Sequence, residues 1–199
     1  MEVFDDLAAI QDFSWQQLQQ APHQRKHPWR TPALASLEEA PTVGIRTVVL
    51  RRAIPTDRVL RFFTDGRSGK MKAVAAGHPL SWLFYHPQKE IQLRIVGWPQ
   101  VLPPAAADEV WSQLSVAGRS AYAATAAPGS SSSLPSDSLP PDFFSRPLNQ
   151  TEAARANFRV IDTVVHSLEF LQLHRQGHRR ARFSWDADQA GWVGEWLVP

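Results

Sequence analysis

Between an apolar run and an alanine-rich stretch the chain reads TDGRSGKMKAV, Thr64 to Val74. Arg67, Lys70 and Lys72 supply three cations, Gly66 and Gly69 supply backbone freedom, and Ser68 stands where a helix-capping serine would. Nothing in the stretch pairs a nucleophile with a base. What these residue types can do together is hold an anion. Backbone N–H groups ahead of a helix, with Arg67 and Lys70 to neutralise charge, suit a phosphate. A second basic stretch, HRQGHRRAR from His174 to Arg182, contains no acidic residue. It reads equally as a solvated face or as an anion-binding surface.

The elements that position these residues are mostly strands. GIRTVVLRRAI, Gly44 to Ile54, is rich in β-branched residues, and VLRFFTD, Val59 to Asp65, is its expected hairpin partner. Lys70 to Ala76 predicts a short helix stopped by Gly77 and Pro79. Leu80 to His86 and Glu90 to Leu102 predict two more strands. Ala106 to Ser115 carries Val110, Trp111 and Leu114 at helical spacing and predicts an amphipathic helix. Ala123 to Pro141 is rich in Ser, Pro and Ala and predicts an extended, mobile loop. Thr151 to Asn157 reads as helical, Val160 to Leu173 as a strand, and Arg182 to Val198 as a closing hairpin. The fold class expected is mainly β, a barrel with flanking helices. One domain over 1–199 is expected, with a helical extension over about 1–40 that includes the HPWR segment.

Composition narrows the chemistry. A chain of 199 residues, 43% hydrophobic, is long enough for one full core, and no apolar run approaches the roughly 20 residues of a membrane span. The acidic start MEVFDDLAAIQDF is unlike a secretory leader, so a cytoplasmic protein is expected. Without cysteine there is no disulfide framework and no thiolate metal site, and a metalloenzyme is not expected. A formal charge of +2 argues against general nucleic-acid binding, and HRQGHRRAR carries no aromatic on which a base could stack.

Five blocks taken in order carry a likeness. RTVVLR, FFTDGRSGK, QLRIVG, NFRV with LEFLQL, and HRRARF before WVGEWLVP resemble the pyridoxamine 5'-phosphate oxidase superfamily, from about residue 40 to the end, most of all its Alr4036-type branch. The resemblance implies a split β-barrel that binds FMN between the two subunits of a homodimer. It implies that Arg46, Ser68 and Lys70 surround the FMN phosphate and that Thr47 lies beside Arg46 along the cofactor. It places Arg51 near the flavin ring and substrate, Phe63 and Thr64 along the cofactor, and Gln92 and Arg182 as side chains that reach it. The oxidases have Ser-Arg-Lys where this chain has Ser68-Gly69-Lys70, and Arg67 is the candidate replacement. Their substrate-reading Arg-x-His is answered here by His178-Arg179-Arg180, so pyridoxamine 5'-phosphate itself is not the expected substrate. Arg51, His178 and Arg180 are the substrate candidates, for a small anionic compound. An FMN-dependent oxidoreductase is the first reading. A flavin module without turnover, or a barrel for another anionic cofactor, is the alternative.

Readings that need no ligand stand beside these. Arg46 could pair with an acidic neighbour, Lys70 could be a solvated first-turn lysine, and Gln92 could face water. Arg46 and Arg51 are five apart, which puts them on opposite faces of a regular strand unless the strand is interrupted.

Overall fold

The computed structural model describes residues 3–38 and 42–199. The Asp6 carboxylate caps α1 (Leu7–Gln20) by accepting the Ala9 N–H at 2.8 Å, and Ile10, Ser14, Trp15 and Leu18 form its buried face. A 3-10 turn over Pro28–Arg30 then drives Trp29 into the core, where it has no exposure and meets Phe13 and Phe84. HPWR is therefore a wedge for the core. The expected extension is also shorter than 1–40, because β1 (Ala33–Leu37) is already part of the sheet.

The remaining strands are β2 (Val43–Thr47), β3 (Arg52–Ile54), β4 (Val59–Asp65), β5 (Leu80–His86), β6 (Ile91–Val101), β7 (Phe158–Gln172), β8 (Arg179–Asp186) and β9 (Gly191–Leu197). They form an antiparallel sheet in the order β2-β1-β5-β6-β7-β4-β3, with β8 and β9 added beside β7. The strands at the two ends of that order, β2 and β3, are consecutive in the chain. Between them the Val48 and Leu50 N–H groups donate to the Pro32 and Arg30 carbonyls, whereas Arg51 N–H donates to Arg61 O at 2.8 Å. The predicted strand Gly44–Ile54 is thus one extended run that changes partner midway, from β1 to β4, and so joins the two ends of that order.

Leu34, Leu60, Phe62, Trp82, Phe84, Leu93 and Phe170 fill the interior, none more than 1% exposed. β6 bends across β7 at a register shift beside Gly97, where an added Cβ would come within 2.8 Å of Thr163 Cγ2 and 2.9 Å of the Val164 carbonyl carbon. α2 (Lys70–Ala75) follows β4, and Gly77 stops it with φ +68°. The predicted helix Ala106–Ser115 is α3 (Pro104–Ser112), and a further helix, α4 (Val116–Ala123), follows it, capped by the Ser115 hydroxyl, which accepts Gly118 N–H at 3.2 Å. With the 3-10 segment Leu148–Asn157 they cover a second core of Trp111, Tyr122, Phe158 and Val160. At the C-terminus Trp192 packs on Trp15, whereas Trp196 is 45% exposed.

Candidate functional site

The pleat of β4 turns Leu60, Phe62 and Thr64 inward, and Thr64 is the last of them, at the barrel end. The chain turns there, and Ser68 Oγ donates to Asp65 O at 2.8 Å while lying 3.1 Å from Thr64 Oγ1. Lys70 Nζ donates to Thr64 Oγ1 at 3.0 Å and to Ser68 Oγ at 3.1 Å. Arg46, opposite Leu34 in the β1–β2 ladder, reaches the same end. Its guanidinium donates to Ser36 Oγ at 2.6 Å, to Leu34 O at 3.3 Å and to the Glu38 carboxylate. Burial, and then the charge of Arg46, hold the Lys70 ammonium below the usual lysine pKa, while Glu38 and Asp65 act the other way. Arg46 and Lys70 therefore share one field.

Ser68 is not the cap of α2. Gly69 occupies that position and no side chain bonds the first turn, so the hydroxyl of Ser68 is spent on Thr64, Lys70 and Asp65. α2 is only six residues long. The attraction for an anion rests on the two cations rather than on the helix.

Arg67 faces the other way. Its guanidinium grips the buried Asp65 carboxylate at 2.7 and 3.0 Å, which raises its pKa, and reaches the Ala124 and Thr125 carbonyls at 2.9 and 3.3 Å. Arg67 ties the Ser/Pro-rich loop to the barrel instead of joining Ser68 and Lys70. Thr47 is exposed on the outer face, one residue and one pleat from Arg46. Arg51 lies in the partner-changing segment, its guanidinium carbon 5.1 Å from the centre of the Phe63 ring. Beneath them sits Tyr122, a phenol that burial pushes up to about 12.

Gln92 and the remaining arginines occupy the outer face of the sheet. Ladder register places Arg94, Glu169, Arg182 and Glu195 in one row across β6 to β9, with Gln92, Leu171 and Arg180 in the next. Glu169 accepts from Arg180 at 2.8 Å, Arg94 at 3.2 Å and Arg182 at 3.4 Å, and Arg182 also lies 3.6 Å from Glu195. Burial works to raise the Glu169 carboxyl, but the bonds and charges of these arginines outweigh it and hold its pKa below the usual range. Arg179 pairs with Asp5. The basic stretch is thus balanced after all, by acids far away in sequence. His178 does not join Arg180: its Nδ1 accepts the His174 N–H at 3.1 Å within the β7–β8 turn. His174 and His178 stand four apart, yet no group of three metal-binding side chains occurs among the described residues. Beside Gln92 an apolar groove of about 290 Å³ runs over β1, β2, β5 and β6, lined by Ala33, Ala35, Ile45, Leu83 and Arg94.

The structure therefore gathers Arg46, Thr64, Ser68 and Lys70 at the barrel end, stacks Arg51 on Phe63, and sets Gln92, Arg180 and Arg182 on the outer face. Ser36, Glu38, Arg94, Glu169 and Tyr122 belong to these clusters and were not singled out from the sequence. Arg94 was signalled by its spacing of two from Gln92, which puts both on one face. For Glu38 and Glu169 the sequence carries no comparable sign, because their partners lie on other strands.

Residues 12–103 match the family model for the pyridoxamine 5'-phosphate oxidase FMN-binding domain. A pyridoxamine 5'-phosphate oxidase-related, FMN-binding protein from Nostoc punctiforme has a similar structure over 100% of both chains, with 21% identity and a TM-score of 0.71. PhzG from Burkholderia lata, solved with tetrahydrophenazine-1-carboxylic acid, is similar over 97% of this chain and 92% of its own, with 19% identity and a TM-score of 0.69. A protein from Clostridium acetobutylicum related to general stress protein 26 is similar over 94% and 100%, at 8% identity and a TM-score of 0.54. At such identities the likeness establishes a fold, the split β-barrel of these proteins. No curated protein matches the sequence.

Proposed function

We propose, from the match of residues 12–103 to the model of the pyridoxamine 5'-phosphate oxidase FMN-binding domain, that the chain is a member of that family and an FMN-dependent oxidoreductase acting on a small anionic substrate. The observation that carries the cofactor assignment is that Arg46 lies close enough to act on Lys70, whose ammonium donates to the Thr64 and Ser68 hydroxyls. A phosphate dianion takes charge-assisted hydrogen bonds from such donors, each contributing about 1.5–3 kcal/mol. Lys70 is bonded to two neutral hydroxyls and, among the described residues, to no carboxylate. The donor set fits. Thr47, Arg51, Phe63, Gln92 and Arg182 would line the rest of the cofactor. FMN, when bound, supplies hydride and electron transfer, and the chain supplies binding, orientation and charge.

The pleat supports a homodimer with FMN between its subunits. The Arg46 cluster and the outer-face residues Thr47, Gln92 and Arg182 lie on opposite sides of the sheet, so one chain cannot close both around a single flavin; two copies can. Ile45, 72% exposed, and Tyr85, 50% exposed, give the outer face an apolar surface for the partner to cover. Among the described residues no helix is long and apolar enough to cross a membrane. Arg180 and Arg51 are the proposed substrate readers, while His178 braces the β7–β8 turn.

The binding of Arg180 and Arg182 to Glu169 favours a second reading, a flavin module without turnover, since both arginines already have a carboxylate partner. One experiment tests both. Purified protein is loaded with FMN, reduced without oxygen, and its absorbance followed as small anionic acceptors are added. Reoxidation by an acceptor supports the enzyme, flavin bands that never respond support the module, and protein that takes up no flavin refutes both.

A further inference from the structure

We propose that Glu38 is a resident anion of the phosphate cradle, a carboxylate that occupies the space between Arg46 and the Gly69-Lys70 turn and leaves when a phosphate dianion binds. The inference rests on the reading of that cradle as a phosphate site. Three observations support it. The Glu38 carboxylate accepts from Arg46, and its charge is felt at Lys70, so it serves both cations. Its Oε1 stands 3.5 Å from where a Cβ on Gly69 would be, and a Cβ on Gly44 would collide with both the Glu38 carboxylate and the Arg46 guanidinium. The carboxylate therefore spans the gap between β2 and the turn before α2, with glycine on either side making room. Its side chain keeps 35% of its exposure, which leaves it a way out into solvent.

The charges explain why such a group would be present. Arg46 is close enough to disfavour the charge of Lys70, and a carboxylate between them relieves that repulsion while the cradle lacks a ligand. A phosphate dianion offers the same relief with more charge and more acceptor oxygens. Carboxylate and dianion repel each other strongly at this range, so the two are alternatives. Glu38 thus lowers the affinity for every phosphate and makes the cradle selective for ligands that gain enough elsewhere to displace it.

The test is Glu38→Gln, which keeps the shape and removes the charge, with Glu38→Ala as a second variant. FMN and riboflavin are titrated by quenching of flavin fluorescence, and inorganic phosphate is titrated against the melting temperature. The proposal expects FMN to bind both variants about tenfold or more tightly than wild type, riboflavin to bind all three alike, and phosphate to raise the melting temperature of the variants more than that of wild type. FMN binding that is unchanged or weaker in both variants overturns it, because Glu38 would then hold Arg46 in place rather than compete. Equal tightening for both flavins also overturns it. If no variant binds flavin, the flavin reading fails while the phosphate arm still decides the role of Glu38: a larger phosphate response in the variants upholds it, and an equal response refutes it.

Discussion

Replacing Lys70 by alanine separates the phosphate from the rest of the flavin. In the protein without ligand the ammonium makes two hydrogen bonds, to Thr64 at 3.0 Å and to Ser68 at 3.1 Å. Removing it strands neither hydroxyl, since the two lie 3.1 Å apart and Ser68 still donates to Asp65 O at 2.8 Å. It also removes a charge that burial and Arg46 already disfavour. The expected change in folding stability is below about 1 kcal/mol. With FMN bound, one charge-assisted bond to a phosphate is lost, about 1.5–3 kcal/mol, or roughly 10- to 150-fold in affinity. Riboflavin has no phosphate and should bind as before. Both flavins are titrated into wild type and Lys70→Ala by fluorescence quenching, with urea unfolding alongside. Equal losses for the two flavins would refute the reasoning, because Lys70 would then act on the ring or on the fold. No loss for either would return TDGRSGK to an ordinary solvated turn.

Three further outcomes are expected. His27 Nδ1 accepts the Trp29 N–H at 3.1 Å and so needs a bare ring nitrogen, while the buried His86 Nδ1 has no hydrogen-bond partner among the described residues. Burial lowers the pKa of both, aided at His27 by His86 and at His86 by Lys89. The fold thus favours the neutral rings, a contribution present above the unfolded value of about 6.5 and lost as pH falls below it towards the depressed folded values. The melting temperature should therefore drop between about pH 7 and 5, and less steeply in His27→Asn, which can still cap the Trp29 turn; a drop of equal steepness in the variant would contradict this. Arg119, 2% exposed, donates to the Leu148 and Trp111 carbonyls, to Thr151 and to Glu152. Arg119→Ala should cost about 2–4 kcal/mol in urea unfolding, and a cost within experimental error would show that this network contributes little. Gly97→Ala places a methyl group against β7 and should cost about 3 kcal/mol or more, visible as a lowered unfolding midpoint; an unchanged midpoint would mean that the β6–β7 crossing yields.

The parts of the fold that the sequence displays are those whose signal is local. Val59–Asp65 and Leu80–His86 are strands with the predicted bounds, because each is a short run of β-branched and aromatic residues between turn residues. Gly77 stops α2 by adopting the positive φ that glycine permits. β1 went unrecognised, since ALASL has no β-branched residue and its strand character comes from pairing with β2 and β5. α4 was hidden because Ser115 reads as the end of one helix when it caps the next. The same division holds at the site. Thr64, Ser68 and Lys70 lie within seven residues and their grouping was legible. Arg67 sits among them in sequence but turns to Asp65, its neighbour but one, because a buried carboxylate holds a guanidinium more firmly than a solvated turn does. Glu169, which gathers three arginines, emerges only from the register of β6, β7 and β8.

The central claim is that FMN is held between two copies of this chain. Sedimentation velocity of the FMN-loaded protein, followed both at the protein absorbance and at the visible flavin absorbance, tests it most directly. The account predicts that the flavin travels with a dimer at one FMN per chain and that Ile45→Glu on the outer face loses the dimer and the flavin together. Flavin sedimenting with a monomer, or flavin left behind by the protein, would contradict it.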